Sequence, residues 1–535
     1  MKRILQVLVA ASLVVRTVIE LHRDLGFDET QALHAAYSVA RGLVPYRDFW
    51  DNHTPLLSYA LAPLILAGGE GASLVDAGRA IMAILGVVLF VLTYRIARRV
   101  LDETAAWLAL LLLAGCRLFT LFVQIRPDTP YLVAWLGCLL VLLHRPDGRR
   151  RAFAAGLLLG VGATATPKAL YALTAVSLAL VAIGLHERRL RRALIQISLF
   201  GLGFLVPLVL LAGAFAAAGA LGPLFRWTLA FNFTIPAGAR FRPWDPVTSP
   251  GFLPFAAVAL VGIAGIVADA RRRLLDPRWI VLGTCGVVLF AIYALVAPMP
   301  FLQTAMAACP PLAIVGARIL AFLPGRGRGR TAILGVAALA ALVAPALALR
   351  PLAPLLLRPS PGLLAQIALD GAVRERTSPE DAVLSSDAQA FTRPSAWFFP
   401  ALTRELVVLL QRGDYPPADV PDVIAALRAS RCPLIIEDDT LRQALPQALG
   451  WIHDHYLALD HGVLLVPGWR LGPDHPSFEV IAPGRYRFDG EGTIDGWAAA
   501  GFVLLGEGAH AYAGPGAVLE LVPSRRPHER GMMTR

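Results

Sequence analysis

The chain has 535 residues, of which 56% are hydrophobic and only 16% charged, and its mean hydropathy is +0.60. A water-exposed globular surface does not sustain that balance, so a soluble protein is excluded first. The formal charge of +11 does not indicate a nucleic-acid partner, because the arginines gather in short clusters between apolar runs, where the positive-inside rule puts them.

Apolar runs long enough to cross about 30 Å of hydrocarbon fall near residues 4–21, 76–97, 105–123, 130–143, 152–166, 169–185, 193–217, 251–269, 279–297, 303–323 and 331–349. These predict a polytopic α-helical membrane protein with eleven spans. The first run follows Met1-Lys2-Arg3, is interrupted by Arg16 and lacks a small-residue cleavage site, so it reads as a retained helix. Four cysteines (Cys116, Cys138, Cys285, Cys309) lie in or beside apolar segments and Cys432 in a polar one, a distribution that supports neither a disulfide framework nor redox chemistry.

Charge orients the spans. Lys2 and Arg3, with the clusters around Arg98, Arg150, Arg191, Arg272 and Arg328, put nineteen cations on one side, against about ten on the other, where the loops are much longer. The N-terminus is therefore predicted to be cytoplasmic, and the long loops and C-terminal region extracytoplasmic, in the inner membrane. Three outward segments stand out: 22–75, 221–250 and the tail from about 358.

The tail divides into an α/β region over 358–475 and a β-rich segment over 476–535. In the first, short runs (Ala382-Val383-Leu384, Pro433-Leu434-Ile435-Ile436) alternate with helical patterns at 419–430 and 440–450. In the second, runs such as Phe478-Glu479-Val480-Ile481 and Ala517-Val518-Leu519-Glu520-Leu521 are separated by Gly-rich turns. Residues 1–357 form the membrane domain.

The first outward segment gathers acids, aromatics and a histidine at the membrane surface. It opens with Gly26-Phe27-Asp28-Glu29-Thr30, passes through a helical stretch to Arg41-Gly42 and closes with Val44-Pro45-Tyr46-Arg47-Asp48-Phe49-Trp50-Asp51-Asn52-His53-Thr54-Pro55-Leu56. Read from composition, Tyr46, Phe49, Trp50 and Tyr59 suit an interfacial aromatic belt. Asp48, Asp51 and His53, at i, i+3 and i+5, match no defined metal-site spacing.

An Asp-Glu pair after the first span, a small-residue helix, a Gly-x-x-Pro-Tyr turn and an Asp-x-x-Pro-Leu-like close resemble the GT-C glycosyltransferase superfamily. The nearest patterns are those of the protein O-mannosyltransferases and the bacterial transferases that attach aminoarabinose to lipid A. The resemblance continues with Arg126-Pro127-Asp128, with Gly160-Val161-Gly162 leading to Thr166-Pro167-Lys168, and with Pro300 to Pro311. It covers roughly 15–320.

What the resemblance implies is transfer of a sugar, with inversion, from a polyprenyl-phosphate carrier to an acceptor hydroxyl on a lipid, glycan or protein. Asp28 matches the family's proposed base and Asp128 its second acid. Glu29, one residue on, points about 100° away on a helix, to orient or cap. Lys168 occupies the family's Thr-x-Lys position, and His53 stands where relatives often have Lys before the Pro-Leu close. With Arg126 these are the candidates for the donor phosphate. Tyr46, Arg47, Asp48, Trp50 and Asp51 are expected to position substrate. Some members use a divalent metal ion and others do not, so no cofactor is fixed and no metal ligand is assigned. A transporter or flippase of lipid-linked sugars would favour broken helices and charges at the midplane, and a non-catalytic envelope assembly protein would dispense with Asp28.

Overall fold

The computed structural model describes residues 2–116, 119, 121–144, 148–231, 252–272, 275–297, 302–319, 350–413, 415–459 and 463–523. Ten of the eleven expected spans fall on described helices; the eleventh, 331–349, lies outside the described residues, as does the second half of the expected segment 221–250. The membrane half begins with α1 (Lys2–His22), α2 (Phe27–Ala40), α3 (Leu56–Leu66), α4 (Gly71–Ala97) and α5 (Glu103–Gly115). It continues with α6 (Asp128–His144), α7 (Arg149–Ala163), α8 (Ala169–His186), α9 (Leu190–Ala217) and α10 (Leu221–Phe225). Helices Leu253–Arg271, Pro277–Ala291 and Cys309–Ala317 follow. Among the described residues five helices are long and apolar enough to cross a membrane: α1, α4, α8, α9 and Pro277–Val296. Their outer faces are apolar and uncovered, as at Val7, Val209 and Leu210, which is what a lipid environment asks of a spanning helix.

The third expected span is shorter than predicted. The run 105–123 yields a helix of 13 residues that ends at Gly115, and residues 121–127 are irregular. Non-helical backbone near a membrane survives only where protein satisfies it. Here Gln124 Nε2 donates to Glu20 at 2.9 Å and the Ile125 amide to Glu29 at 3.2 Å. The pairing of α7 with α9 is set by glycine: a Cβ at Gly156 would stand 2.0 Å from the Phe200 carbonyl oxygen, and one at Gly160 2.4 Å from that of Phe204. Small residues let helix backbones touch where lipid supplies no hydrophobic drive.

The described part of the C-terminal region carries a nine-stranded sheet with the path β1-β2-β4-β9-β6-β7, to which β3 adds on β4, β5 on β9 and β8 on β6. Its strands are β1 (Val383–Leu384), β2 (Leu434–Ile436), β3 (Tyr456–Ala458), β4 (Leu464–Leu471), β5 (Ser477–Val480), β6 (Gly484–Ile494), β7 (Trp497–Ala498), β8 (Gly501–Leu505) and β9 (Gly508–Leu521). β1 and β2 are parallel; the pairings from β2 onward are antiparallel. β4 lies before the expected boundary at 475/476, its first residues against β2 and β3 and its last against β9.

This region is fastened to the segment after α1. Thr30 Oγ1 donates to the Asp387 carbonyl at 2.5 Å, Tyr37 OH to that of Pro379 at 3.1 Å, and the Trp50 amide to that of Phe398 at 2.8 Å. Trp50 packs edge-on to Phe231 and Phe399 in a core shared with Leu406, Leu410 and Leu441.

Candidate active site

The first turn of α2 sends its two acids in different directions. Glu29 closes a capping box, its Oε2 accepting from the Gly26 amide at 2.9 Å, and then meets Arg79 of α4 through two bonds of 2.9 and 2.8 Å. Both side chains are essentially fully buried. Asp28 instead lines a cavity of about 770 Å³ between the helices and the C-terminal region.

In the cavity Asp28 is ion-paired with Arg126, which the irregular stretch before α6 delivers to this point. Arg126 Nε lies 3.6 Å from Asp128, and Lys168 Nζ donates to Asp128 at 2.7 Å. Asp128 begins α6 and is 2% exposed. It stands behind the cavity wall, while Lys168 and Arg126 form part of that wall. Burial opposes the charge on Arg126, but Asp28 and Asp128 outweigh it and hold the guanidinium above its usual range.

His53 also lines the cavity. Its position is fixed from below: its amide donates to Asp51 at 2.9 Å, Nδ1 lies 3.3 Å from the same oxygen, and Tyr46 OH donates to its carbonyl at 2.5 Å. Burial pushes the imidazole pKa down, yet the Asp51 hydrogen bond and the charges of Asp51 and Asp28 together raise it above the ordinary value. Arg126, Lys168 and His53, all cationic or cationisable, therefore face one space beside Asp28.

The remaining expected positions lie elsewhere. Tyr46 and Trp50 are buried in the core that joins the loop to the C-terminal region, so neither forms an interfacial belt or reaches the cavity. Arg47 and Asp48 pair with each other at 2.8 Å, with Asp48 also capping the Val44 amide; they shape an exposed turn. Asp51 acts beneath His53, where Gln31 also donates to it at 2.9 Å. Asp48 is thus turned away from Asp51 and His53. Among the described residues no group of three or more His, Cys, Asp or Glu side chains is placed to hold a metal ion.

Other lining residues carried no sequence motif: Tyr171, Thr228 and Gln303 from the helices, and Thr403, Arg404, Glu405, Thr440 and Gln443 from the C-terminal region. Tyr171 could have been found, since it lies three residues after Lys168 and so shares its side of the helix. The C-terminal contributors sit in ordinary amphipathic helices, and only the tertiary fold brings them here.

Residues 52–212 match the family described as dolichyl-phosphate-mannose-protein mannosyltransferase, a stretch that takes in His53, Arg126, Asp128 and Lys168 and begins beyond Asp28. Among solved structures, ArnT from Cupriavidus metallidurans, bound to undecaprenyl phosphate, superposes with a TM-score of 0.58 at 15% identity over 86% of this chain and 97% of that one. The Archaeoglobus fulgidus oligosaccharyltransferase in the apo form gives 0.52 at 12% identity, over 82% of this chain and 70% of that one. The archaeal oligosaccharyltransferase AglB from the same organism, in complex with an inhibitory peptide and a dolichol-phosphate, gives 0.50 at 13% identity, over 86% and 74%. No curated protein sequence matches the chain. The chain is a multi-pass membrane protein, and its fold is that of the GT-C glycosyltransferases its ordered motifs resemble.

Proposed function

We propose that this chain is a glycosyltransferase that moves a sugar from a polyprenyl-phosphate carrier to an acceptor hydroxyl at the extracytoplasmic face of the plasma membrane. The observation that carries the reading is the meeting of Asp28 with Arg126, Lys168 and His53 around one cavity. A lipid phosphate leaving group needs fixed cations, and the attacking hydroxyl needs a base. The similar fold of proteins solved with undecaprenyl phosphate or dolichol-phosphate supports this reading.

In the reaction the acceptor oxygen attacks the anomeric carbon as the bond from that carbon to the phosphate oxygen breaks, with inversion. Asp28 takes the hydroxyl proton, and the departing phosphate keeps the bonding pair under Arg126, Lys168 and His53. Because Arg126 holds Asp28 before substrate arrives, the donor phosphate competes for that guanidinium and frees the carboxylate as it binds. Asp128, behind the wall, positions the two cations. The orientation follows from the arginine clusters: a reporter joined after Arg151 should read cytoplasmic and one after Arg535 periplasmic, and the opposite pattern would reverse it.

The test is sugar transfer from purified polyprenyl-phosphate sugars to envelope acceptors. Asp28→Asn keeps size but cannot take the proton, so kcat should fall by about 10²- to 10⁴-fold with carrier binding retained. Near-normal turnover in this variant would remove Asp28 from the base role, and loss in Asp128→Asn alone would transfer the role there.

A further inference from the structure

The cavity holds groups that the carrier phosphate does not explain. One wall carries Arg126, Lys168 and His53, of which the first two can only donate hydrogen bonds. The facing wall belongs to the C-terminal region and is built on two short helices, Arg404–Gln411 and Asp439–Ala444. Thr403 and Asp438 cap them by accepting from the Leu406 and Leu441 amides, and Leu406, Leu410, Leu441 and Ala444 anchor them in the core. This wall is therefore held rigidly.

Glu405 stands in it. It is 7% exposed, it lines the cavity, and among the described residues its carboxyl group has no hydrogen-bond or ion-pair partner. Its carboxyl oxygens are not enclosed in the core but open to the cavity, where they are free to accept from a ligand. Thr440, Gln443 and the exposed Arg404 line the same wall. A ligand that fits the whole space carries an anion at one end and hydroxyl donors at the other.

We propose that Glu405, with Thr440 and Gln443, forms a saccharide-binding wall in which the Glu405 carboxyl oxygens accept from adjacent sugar hydroxyls. This rests on the glycosyltransferase reading and gives the C-terminal region a part in substrate recognition. The same chemistry suits the carrier's sugar or a glycan acceptor.

The experiment measures binding of undecaprenyl phosphate, and of undecaprenyl phosphate bearing each of several hexoses and pentoses, to the full-length protein in detergent, for the wild type, Glu405→Gln and Glu405→Leu. Transfer kinetics are measured alongside. Because Glu405 has no partner to lose, both variants should unfold at or above the wild-type temperature, which separates recognition from folding. The expected result is that the wild type prefers one sugar-bearing carrier to the bare carrier and that Glu405→Leu loses at least ten-fold of that preference, with bare-carrier affinity unchanged. If that preference is intact but the acceptor KM rises ten-fold or more, the wall holds an acceptor saccharide.

An unchanged sugar preference together with an unchanged acceptor KM overturns the proposal. So does a loss confined to kcat, which would make Glu405 a base, or a raised KM for peptide acceptors only. Failure of the wild type to bind any carrier or transfer any sugar removes the glycosyltransferase reading itself, and this inference falls with it.

Discussion

Lys168 and Asp128 meet at 2.7 Å, the Asp128 side chain buried and that of Lys168 partly open to the cavity. The cation that faces the cavity is thus already held from behind, and a phosphate arriving in front adds a second anion without displacing the first. Lys168→Ala should weaken carrier binding by roughly ten- to a hundred-fold, the range of a charge-assisted hydrogen bond of about 1.5–3 kcal/mol, and Lys168→Arg should restore part of it. The double variant Lys168→Ala/Asp128→Asn decides the cause. If Lys168 acts only by neutralising Asp128, the double variant regains affinity; if it meets the phosphate, affinity stays low.

Adjacent acids should separate into two phenotypes. Glu29→Gln leaves Arg79 without its carboxylate in a fully buried site, a change that costs about 3–5 kcal/mol when one partner of such a pair is removed. Thermal unfolding in detergent should show a large drop in Tm for Glu29→Gln, with turnover per folded molecule kept, and little drop for Asp28→Asn, with turnover lost. Equal stability of the two variants would contradict the assignment of Glu29 as a structural anchor.

The raised pKa of His53 gives donor binding a direction in pH. The imidazole carries its charge below the ordinary value of about 6.5 and loses it as pH rises through the raised value. Its pairing with Asp51 stabilises the fold fully below the unfolded pKa and lapses over the same rise. Carrier affinity should therefore be greatest in mild acid and decline toward alkaline pH, and His53→Gln should abolish the decline. A decline of the same size in His53→Gln would assign it to another group.

His34 has the opposite sign. It is buried in α2, donates through Nε2 to the Arg393 carbonyl at 3.1 Å, and burial lowers its pKa to about 4. The unfolded chain binds that proton near pH 6.5 and the folded chain does not, so stability falls as the solution is acidified from about pH 6.5 to about 4, by about 3 kcal/mol. Urea unfolding across that window should show the loss, and His34→Gln should flatten it.

The membrane helices were legible because length and apolarity are local properties, and the ends of those helices were legible enough to pick out Asp28, Arg126 and Lys168, three of the groups on the cavity. Tyr46 and Trp50 show where local reading stops. An aromatic residue in a loop looks the same whether it meets lipid headgroups or Phe231 and Phe399, and those partners lie about 180 and 350 positions further along the chain. Glu29 was legible as a cap, but its bond to Arg79 depends on how α4 crosses α2. Glu405 was invisible for a related reason: a charged residue in the first turn of an amphipathic helix is ordinary, and only the cavity makes it unusual.

The fastening of the C-terminal region to the first loop limits what can be exchanged between relatives of this architecture. The bonds from Thr30, Tyr37 and Trp50 all end on carbonyl oxygens, so side-chain identity on the receiving strands and turns matters less than the path of their backbone. A foreign C-terminal region could therefore be grafted with an unrelated sequence, provided its chain passes those three donors at the right positions. One that shared many residues but differed by an insertion near Asp387 or Phe398 would leave Thr30 or Trp50 unbonded and shift the loop that carries His53. Compatibility of chimaeras should follow the spacing of this backbone track, not percentage identity.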